Sequence, residues 1–402
     1  MFTELSYTLT KSLDKSEKKN NGIYFTPSKT VASNLTFLEP YMNDVKSVLE
    51  PSCGSCEYIL QLYEQYKDIK ITGIEYNKTI FDSIKELEND NIKLYHSNFL
   101  TYEFTSKYDL IIGNPPYYVM SKNEVDKEYH DYFDGRPNIF LLFIIKSLGL
   151  LNEEGLLSFV LPKNFLNCLY YDKTRKYIYT HFQILQIVDC NDSYIETQQD
   201  TIILILRKID IAHINNESYS MILGEYTTFS HPEYIQSLTD LYKDSTTLKE
   251  MGFVVNVGTV VWNQCKKQLT EDTSKTLLIY SSDIREGKVV PQKYSNPEKK
   301  NYIDKEGKTE PLLVINRGYG MGAYTFTYSI INETDNVEYL VENHLICIRY
   351  TKNIAKKTLL AKYKKIINSF ENSKTQEFIR LYFGNNAINT TELCSILPIY
   401  LR

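Results

Sequence analysis

The chain has 402 residues, of which 43% are hydrophobic and 24% charged, a mixture typical of globular proteins with two domains or one large one. Its longest apolar run, Ile139–Leu151, is interrupted by Lys146 and is too short to span a membrane, so it predicts a buried helix. The net charge of −5 conceals an asymmetry, because residues 245–402 carry 22 Lys and Arg against 16 Asp and Glu. This basic half indicates an anion-binding region, with a solvated Lys-rich helix as the alternative reading.

The N-terminal residues 1–20 are polar and Lys-rich and contain no apolar signal core, so we expect a polar arm on a protein that stays where it is made. Seven scattered cysteines then favour free thiols in a reducing compartment. Cys53 and Cys56 have the spacing of a ligand pair, but no second pair accompanies them. We therefore predict no metal site.

Short β-like runs alternate with helical stretches up to about residue 210, which predicts βαβ units around a mostly parallel sheet. The predicted strands are Ser47–Glu50, Lys70–Glu75, Ile92–Tyr95, Tyr108–Gly113, Leu156–Leu161, Leu185–Asp189 and Thr201–Arg207. The predicted helices are Tyr58–Tyr66, Lys78–Leu87, Ile139–Leu150 and Tyr171–His181. The last two strands are joined by a short turn-rich link, which favours a closing hairpin.

The alternation fades after the last of these strands, and we predict a linker over residues 211–244 before a second domain over residues 245–402. Its predicted strands are Gly252–Val261, Pro311–Ile315 and His344–Tyr350, and Thr351–Phe370 reads as a Lys-rich helix. We therefore expect a mixed α+β fold in this half.

The strongest motif is Asn114-Pro115-Pro116-Tyr117, which directly follows the apolar strand Tyr108–Gly113. A bare Pro-rich turn would also end a strand, but the combination suits a specific chemistry. An amine conjugated to a ring is a poor nucleophile, and two acceptors for its N–H bonds make its lone pair available. The Asn114 side chain and the Pro115 carbonyl can provide both acceptors, and Tyr117 offers a flat face for a base.

Two further signals lie upstream of this motif. Val48–Cys56 reads as a strand, a small-residue loop and a helix start, which lets the backbone approach a ligand. Glu75 ends the next strand 21 positions after Gly54 and can bind ribose hydroxyls, although a carboxylate there could equally cap a helix. In a doubly wound sheet, all these residues meet at the carboxyl edge of the strands.

Together with Gly22-Ile23-Tyr24-Phe25-Thr26-Pro27, these motifs resemble the γ class (Taq type) of N6-adenine DNA methyltransferases from restriction-modification systems. The resemblance covers about residues 20–210 motif by motif. It implies a doubly wound, mostly parallel, seven-stranded Rossmann-like methyltransferase sheet over residues 21–210, with S-adenosylmethionine as cofactor. It also implies that the second domain recognises duplex DNA and that the target adenine is flipped out of the helix.

The resemblance assigns roles residue by residue. It implies that the cofactor is bound by Thr26, Glu50, Ser52, Gly54, Glu75, Tyr76, Asn98, Phe99, Asn114, Pro116 and Phe143. It places catalysis on Asn114, Pro115, Pro116 and Tyr117, with Tyr194 stacking on the flipped base. Asn98 departs from the Asp usual in the family, and Phe143 could equally be helix core.

DNA recognition is expected from residues of the second domain. Arg317, between Asn316 and Gly318, could reach a base edge or be an exposed turn residue, and Lys356 and Lys357 could meet phosphates. We expect a monomer without membrane attachment, acting in the cytoplasm on a bacterial nucleoid or in a virus-infected host cell. A restriction endonuclease for the same site would be a separate protein.

Three other readings remain open at this point. The Asn-Pro-Pro-Tyr tetrad also suits methylation of RNA adenine N6 or of a protein glutamine N5. A DNA-binding subunit with a decayed catalytic site is the non-enzymatic alternative.

Overall fold

The computed structural model describes residues 3–190, 199–317, 325–383 and 388–401. The chain forms two compact units, Met1–Ile235 and Gln236–Arg402. The division falls inside the stretch 211–244 that the sequence predicted as a linker.

Within the described residues, seven strands form the sheet of the first unit. In chain order they are β1 (Ser47–Glu50), β2 (Lys70–Glu75), β3 (Ile92–His96), β4 (Tyr108–Gly113), β5 (Leu151–Pro162), β6 (Gln183–Cys190) and β7 (Thr201–Arg207). Their spatial order is β3-β2-β1-β4-β5-β7-β6, with β1 to β5 parallel and β7 antiparallel to both neighbours. The predicted doubly wound sheet and closing hairpin are confirmed. A small hairpin follows, formed by β8 (Ser220–Leu223) and β9 (Tyr226–Phe229).

Adjacent residues of the central strands point to opposite faces of this sheet, as β-strand geometry requires. Leu49 and Ile111 face a core shared with the apolar helix at Phe140, whereas Val48 and Leu110 face a second core. Both faces of the parallel sheet are therefore covered, which explains why its strands are apolar throughout.

The helices of the first unit lie between and around these strands. They are α1 (Glu4–Ser12), α2 (Lys15–Asn21), α3 (Ser28–Leu38), α4 (Glu57–Gln65), α5 (Lys78–Ile84), α6 (Ile139–Gly149) and α7 (Asp172–His181), and α8 (Pro232–Tyr242) runs across the division. Where the sequence suggested a polar arm, Thr3 and Asp14 cap α1 and α2 through their side chains.

The second unit is a mixed α+β assembly. Its strands are β10 (Phe253–Val257), β11 (Leu269–Thr270), β12 (Thr276–Ile279), β13 (Ile284–Arg285), β14 (Lys288–Val289), β15 (Tyr302–Ile303), β16 (Leu312–Asn316), β17 (Tyr328–Ile331), β18 (Tyr339–Val341) and β19 (Leu345–Tyr350). Its helices are α9 (Lys356–Phe370), α10 (Ser373–Phe378) and α11 (Thr390–Ser395). In the described part, two four-stranded sheets have the orders β10-β19-β16-β17 and β11-β15-β12-β18.

Two predicted boundaries in this unit differ from the structure by more than one residue. The Lys-rich helix begins at Lys356 rather than Thr351, after Ala355 in an extended conformation, so Lys352 precedes it. The first strand ends at Val257 rather than Val261, because the next residue, Gly258, lies against the backbone of Glu342, where a Cβ atom would come within 2.2 Å of its carbonyl oxygen. No helix among the described residues is long and apolar enough to cross a membrane.

Candidate active site

A cleft lies at the carboxyl edge of the central strands. Because β1 to β4 are parallel, the residues that follow them meet at this edge, and these are Ser52, Gly54, Glu75, Asn98 and Asn114. The cleft contains about 1050 Å³ of space not filled by atoms, part of it open to solvent.

Nine of the eleven residues predicted to bind the cofactor line this cleft, namely Ser52, Gly54, Glu75, Tyr76, Asn98, Phe99, Asn114, Pro116 and Phe143. Thr26 and Glu50 line a smaller neighbouring cavity that shares Ser52, Gly54 and Asn114 with the cleft. The sequence motifs are thus brought together in one continuous region of the first unit.

The loop after β1 turns sharply at two positions. Gly54 has φ +49°, and Cys56, which precedes α4, has φ +62°. A left-handed conformation is costly for a residue with a Cβ atom, which is why a Gly would be expected where Cys56 stands. The Cys56 side chain is completely buried, so packing compensates for the backbone cost.

Glu75 joins this loop to the end of β2. Its Oε2 accepts from the Gly54 amide at 2.8 Å, and its Oε1 accepts from the Asn77 amide at 2.7 Å. Burial raises the pKa of Glu75 to about 7, although these backbone donors act in the opposite direction. Each carboxylate oxygen retains a lone pair for a further donor, which suits a pair of ribose hydroxyls.

Glu50 carries a buried oxygen with an unmet hydrogen bond. Its Oε2 has no partner, and the residue is only 3% exposed. Burial raises the pKa of Glu50 well above its usual range, and Cys56, Glu57 and Glu75 raise it further. A buried acceptor among other acids is suited to a cationic ligand, and the ammonium of a methionine moiety fits this requirement.

The opposite end of the cleft is apolar. Phe99 is buried, and its ring centroid lies 4.9 Å from that of Phe143. Asn98 is exposed, with its Oδ1 accepting from the Leu100 amide at 2.9 Å, and Tyr76 is 67% exposed. These side chains could hold the adenine of a nucleoside, with ring faces on one side and amide atoms at the edge.

In the tetrad after β4, the side-chain amide of Asn114 is hydrogen-bonded through both its nitrogen and its oxygen. Asn114 Nδ2 donates to the Tyr24 carbonyl at 3.3 Å, and Asn114 Oδ1 accepts from the Tyr117 hydroxyl at 2.6 Å. The same hydroxyl lies 2.7 Å from the Val160 carbonyl, and the Tyr117 ring packs edge-on against Phe140. Pro115 is buried. Tyr194 lies outside the described residues.

Several lining residues carry no motif that sequence reasoning used. They are Asn21, Ile80, Tyr118 and Met120. The Tyr118 carbonyl accepts from the Ile139 amide, and the Met120 amide donates to the Pro137 carbonyl. The segment after the tetrad therefore pairs with the start of α6. Such pairing between distant segments leaves no local signal in the sequence.

The N-terminal segment approaches the tetrad more closely than its sequence indicated. Gly22 ends α2 with φ +62°, and a Cβ atom there would come within 2.6 Å of the Tyr117 amide nitrogen. Only glycine permits this contact, which brings the Tyr24 carbonyl to Asn114.

The predicted DNA-binding residues belong to the second unit. Lys356 and Lys357 are exposed in the first turn of α9, and Arg317 is partly buried directly after β16. Two lysines beside the positive end of a helix dipole are unfavourable for the free protein.

The sheet and the cleft define the class of the protein. A buried acidic end, a carboxylate at the end of β2 and an apolar end beyond β3 suit the methionine, ribose and adenine parts of one ligand. The protein is an S-adenosylmethionine-dependent methyltransferase. No group of His, Cys, Asp or Glu among the described residues has the arrangement of a metal site.

Comparison with known proteins narrows this class. Residues 3–195 match the family model of the Eco57I restriction-modification methylases. Type II methyltransferase M.CvrRI of Paramecium bursaria Chlorella virus XZ-6E is 26% identical over 397 residues, covering 97% of each chain. Modification methylase CviBIII of Paramecium bursaria Chlorella virus NC1A is 26% identical over 412 residues, covering 99% of each chain.

Among solved structures, a putative class I S-adenosylmethionine-dependent methyltransferase from Listeria monocytogenes is 22% identical, with a TM-score of 0.44 over 52% of this chain and 68% of its own. The family match and the two full-length relatives support a DNA methyltransferase of the restriction-modification type.

Proposed function

We propose that the protein methylates N6 of adenine in duplex DNA at a specific site, as the modification half of a restriction-modification system. The observation that carries this proposal is the fixed amide of Asn114. Its nitrogen faces the Tyr24 carbonyl and its oxygen faces the Tyr117 hydroxyl, so the amide cannot rotate without losing both bonds.

A fixed acceptor is what an exocyclic amine requires. Asn114 Oδ1 has a second lone pair that can accept one N–H of the target amine, and the Pro115 carbonyl can accept the other. Accepting both hydrogens localises the lone pair on nitrogen and makes it nucleophilic. Because the Ser52 hydroxyl donates to the Asn114 carbonyl at 3.2 Å, the cofactor loop and the catalytic loop are held in register.

Bound S-adenosylmethionine supplies an electrophilic methyl group on a positively charged sulfur. Glu50 would hold the ammonium end, Glu75 the ribose hydroxyls, and Asn98, Phe99 and Phe143 the adenine. These residues bind and orient, so catalysis in this proposal rests on positioning rather than on a strong base.

An adenine within a duplex is inaccessible to a cleft, so the proposal requires the base to leave the stack. Extrusion of a base costs a few kcal/mol, and stacking on aromatic side chains offsets part of it. Tyr117 and Tyr194 are the proposed stacking residues. Arg317, Lys356 and Lys357 are proposed to contact the DNA from the second unit.

The test is transfer of labelled methyl from S-adenosylmethionine to unmethylated duplex DNA, with RNA and a protein glutamine substrate in parallel. We expect N6-methyladenine in DNA, loss of label with Asn114→Ala, and unchanged activity with Asn43→Ala, an exposed Asn before β1. The adenine amine is identified by digestion to nucleosides followed by mass spectrometry.

Each alternative has its own outcome in this assay. Label in RNA or in a glutamine side chain alone would replace the proposed substrate, and tight DNA binding without any transfer would indicate a decayed subunit. A separate endonuclease acting on the same site, and action as a monomer, complete the proposal.

A further inference from the structure

Lys146 is a cation within the otherwise apolar helix α6, and the catalytic chemistry proposed above does not use it. Its Nζ donates to the Leu100 carbonyl and to the Tyr102 carbonyl, both at 2.8 Å. Burial lowers the pKa of Lys146. The packing of α6 alone would favour an apolar residue at this position. The two charge-assisted bonds to main-chain oxygens therefore indicate that the lysine holds the segment that carries those oxygens.

The two carbonyls belong to a single turn that follows β3. In this turn, the Asn98 carbonyl accepts from the Thr101 and Tyr102 amides at 3.2 and 2.9 Å, and Asn98 Oδ1 accepts from the Leu100 amide at 2.9 Å. A single turn cannot satisfy its own last carbonyls, so they need external donors. Lys146 supplies two of these donors.

One aromatic ring in the turn and one just after it lie near the same ammonium. Nζ lies 5.3 Å from the ring centroid of Phe99 and 5.5 Å from that of Phe104, within the range of cation–π attraction. Phe143, three positions before Lys146 on the same face of α6, packs against Phe99 at 4.9 Å. One face of one helix therefore fixes the main chain and the ring of the turn together.

We propose that Lys146 is a positioning residue for the cofactor's adenine, which acts by holding the Asn98–Tyr102 turn so that Asn98 and Phe99 present a preformed pocket. The proposal rests on the assignment of this end of the cleft to adenine. Because the amine acceptor Asn114 lies on a different strand end, Lys146 governs how tightly the cofactor binds and leaves the methyl-transfer step unchanged.

The test compares Lys146→Met, which keeps the apolar stem, with Lys146→Arg, which keeps the charge and the donors. Calorimetry without DNA measures binding of sinefungin, a non-reacting cofactor analogue, and of adenosine, which carries only the adenine end and ribose. Losing a charge-assisted bond of this kind weakens binding by about tenfold, so we expect that loss for both ligands in Lys146→Met and near-normal affinity in Lys146→Arg.

Steady-state kinetics give the second readout. For Lys146→Met, KM for S-adenosylmethionine should rise by about the same factor while kcat at saturating cofactor changes by less than about twofold. Lys176→Met, which removes a lysine paired with Asp172 on α7, is the matched control and should leave both ligands' affinities unchanged.

Unchanged sinefungin and adenosine affinities in Lys146→Met would overturn the proposal. An equal fall of affinity, kcat and thermal stability that Lys146→Arg does not restore would also overturn it, because that pattern marks a general structural role. If Lys146→Met does not fold, Lys146→Gln takes its place in the same comparison. Because ligand binding is measured without DNA, a failure of the proposed DNA substrate would leave this result intact.

Discussion

The hydroxyl of Tyr117 lies 2.6 Å from Oδ1 of Asn114 and 2.7 Å from the carbonyl of Val160. One hydroxyl proton serves two acceptors, so donation to Asn114 and donation to Val160 are alternatives. When the proton turns towards Val160, both lone pairs of Asn114 Oδ1 are available to other donors. Tyr117 thus has two separable parts, a ring that packs and a hydroxyl that orients the amide.

The first prediction concerns variants that remove the Tyr117 hydroxyl alone or the hydroxyl together with the ring. A hydrogen bond of this kind is worth about 0.5–1.5 kcal/mol, so Tyr117→Phe should lower kcat by about two- to tenfold and leave cofactor affinity unchanged. Tyr117→Ala, which also removes the ring, should cost considerably more. Single-turnover methylation measures both variants, and equal losses would show that the hydroxyl alone matters.

Glu75 gives a pH-dependent prediction. Its pKa is raised from 4.5 to about 7 by burial, so in the ligand-free protein it is largely protonated below neutral pH. The protonated form is favoured by the fold, and this contribution to stability is lost as pH rises through about 7. A carboxylate that accepts ribose hydroxyls must release that proton on binding.

Sinefungin affinity should therefore rise as pH rises from 6 to 8, by at most about tenfold per unit below the pKa. Calorimetry in buffers of different ionisation enthalpy should detect the released proton. Glu75→Gln should bind more weakly at pH 8 and reduce the pH dependence. A flat profile for the unaltered protein would contradict the assignment of Glu75.

We expect Glu50 to destabilise the ligand-free protein and to strengthen binding of the cofactor. Its carboxylate is buried with Oε2 unpartnered, so ionisation costs the ligand-free protein free energy. Glu50→Gln should raise the Tm of the ligand-free protein and weaken binding of sinefungin. Thermal unfolding with and without sinefungin measures both effects, and a lower ligand-free Tm would contradict the prediction.

Gly22 should be intolerant of any side chain. Gly22→Ala adds a left-handed conformation costing about 1–2 kcal/mol and also brings a Cβ atom to within 2.6 Å of the Tyr117 amide nitrogen. We expect a lower Tm and a loss of kcat larger than the stability loss explains. Gly287→Ala is the matched control, because Gly287 has φ +74° with nothing near its Cβ position, and it should preserve activity.

Salt dependence tests the proposed lysine contacts. Each phosphate contact contributes about 0.9 to the slope of log K against log salt concentration. Lys356→Gln and Lys357→Gln should each reduce that slope by about one unit without changing the preferred sequence. Lys364→Gln serves as control, because Lys364, on the same helix, pairs with Glu333 of the loop between β17 and β18 at 2.8 Å. Equal slopes in all three variants would remove α9 from the DNA contacts.

Much of the fold of the first unit could be predicted from sequence because its signals are local. The strands Ser47–Glu50, Lys70–Glu75, Tyr108–Gly113 and Thr201–Arg207 have the predicted bounds, since each is an apolar run ended by turn residues. Parallel strands then place their carboxyl ends at one edge, so a linear list of motifs predicted a three-dimensional cleft.

What was missed depends on contacts between distant segments. Gly22 reads locally as a helix C-cap, and nothing in residues 20–24 reveals that Tyr117 lies against it. Likewise, the parallel pairing of β12 with β18 in the second unit joins segments some sixty residues apart, and no periodicity encodes such a partner. Roles for Tyr194, Arg317 and the two lysines remain predictions.

The antiparallel insertion of β7 between β5 and β6 has a consequence for how the chain is made. Until residues 201–207 leave the ribosome, β5 has an uncovered edge of apolar residues, including Phe159 and Val160. The Val160 carbonyl on that strand also anchors Tyr117. A nascent chain that has completed every cofactor motif therefore still lacks the strand that fixes the support of its catalytic loop. Because β7 is inserted late, activity appears only when the sheet is closed.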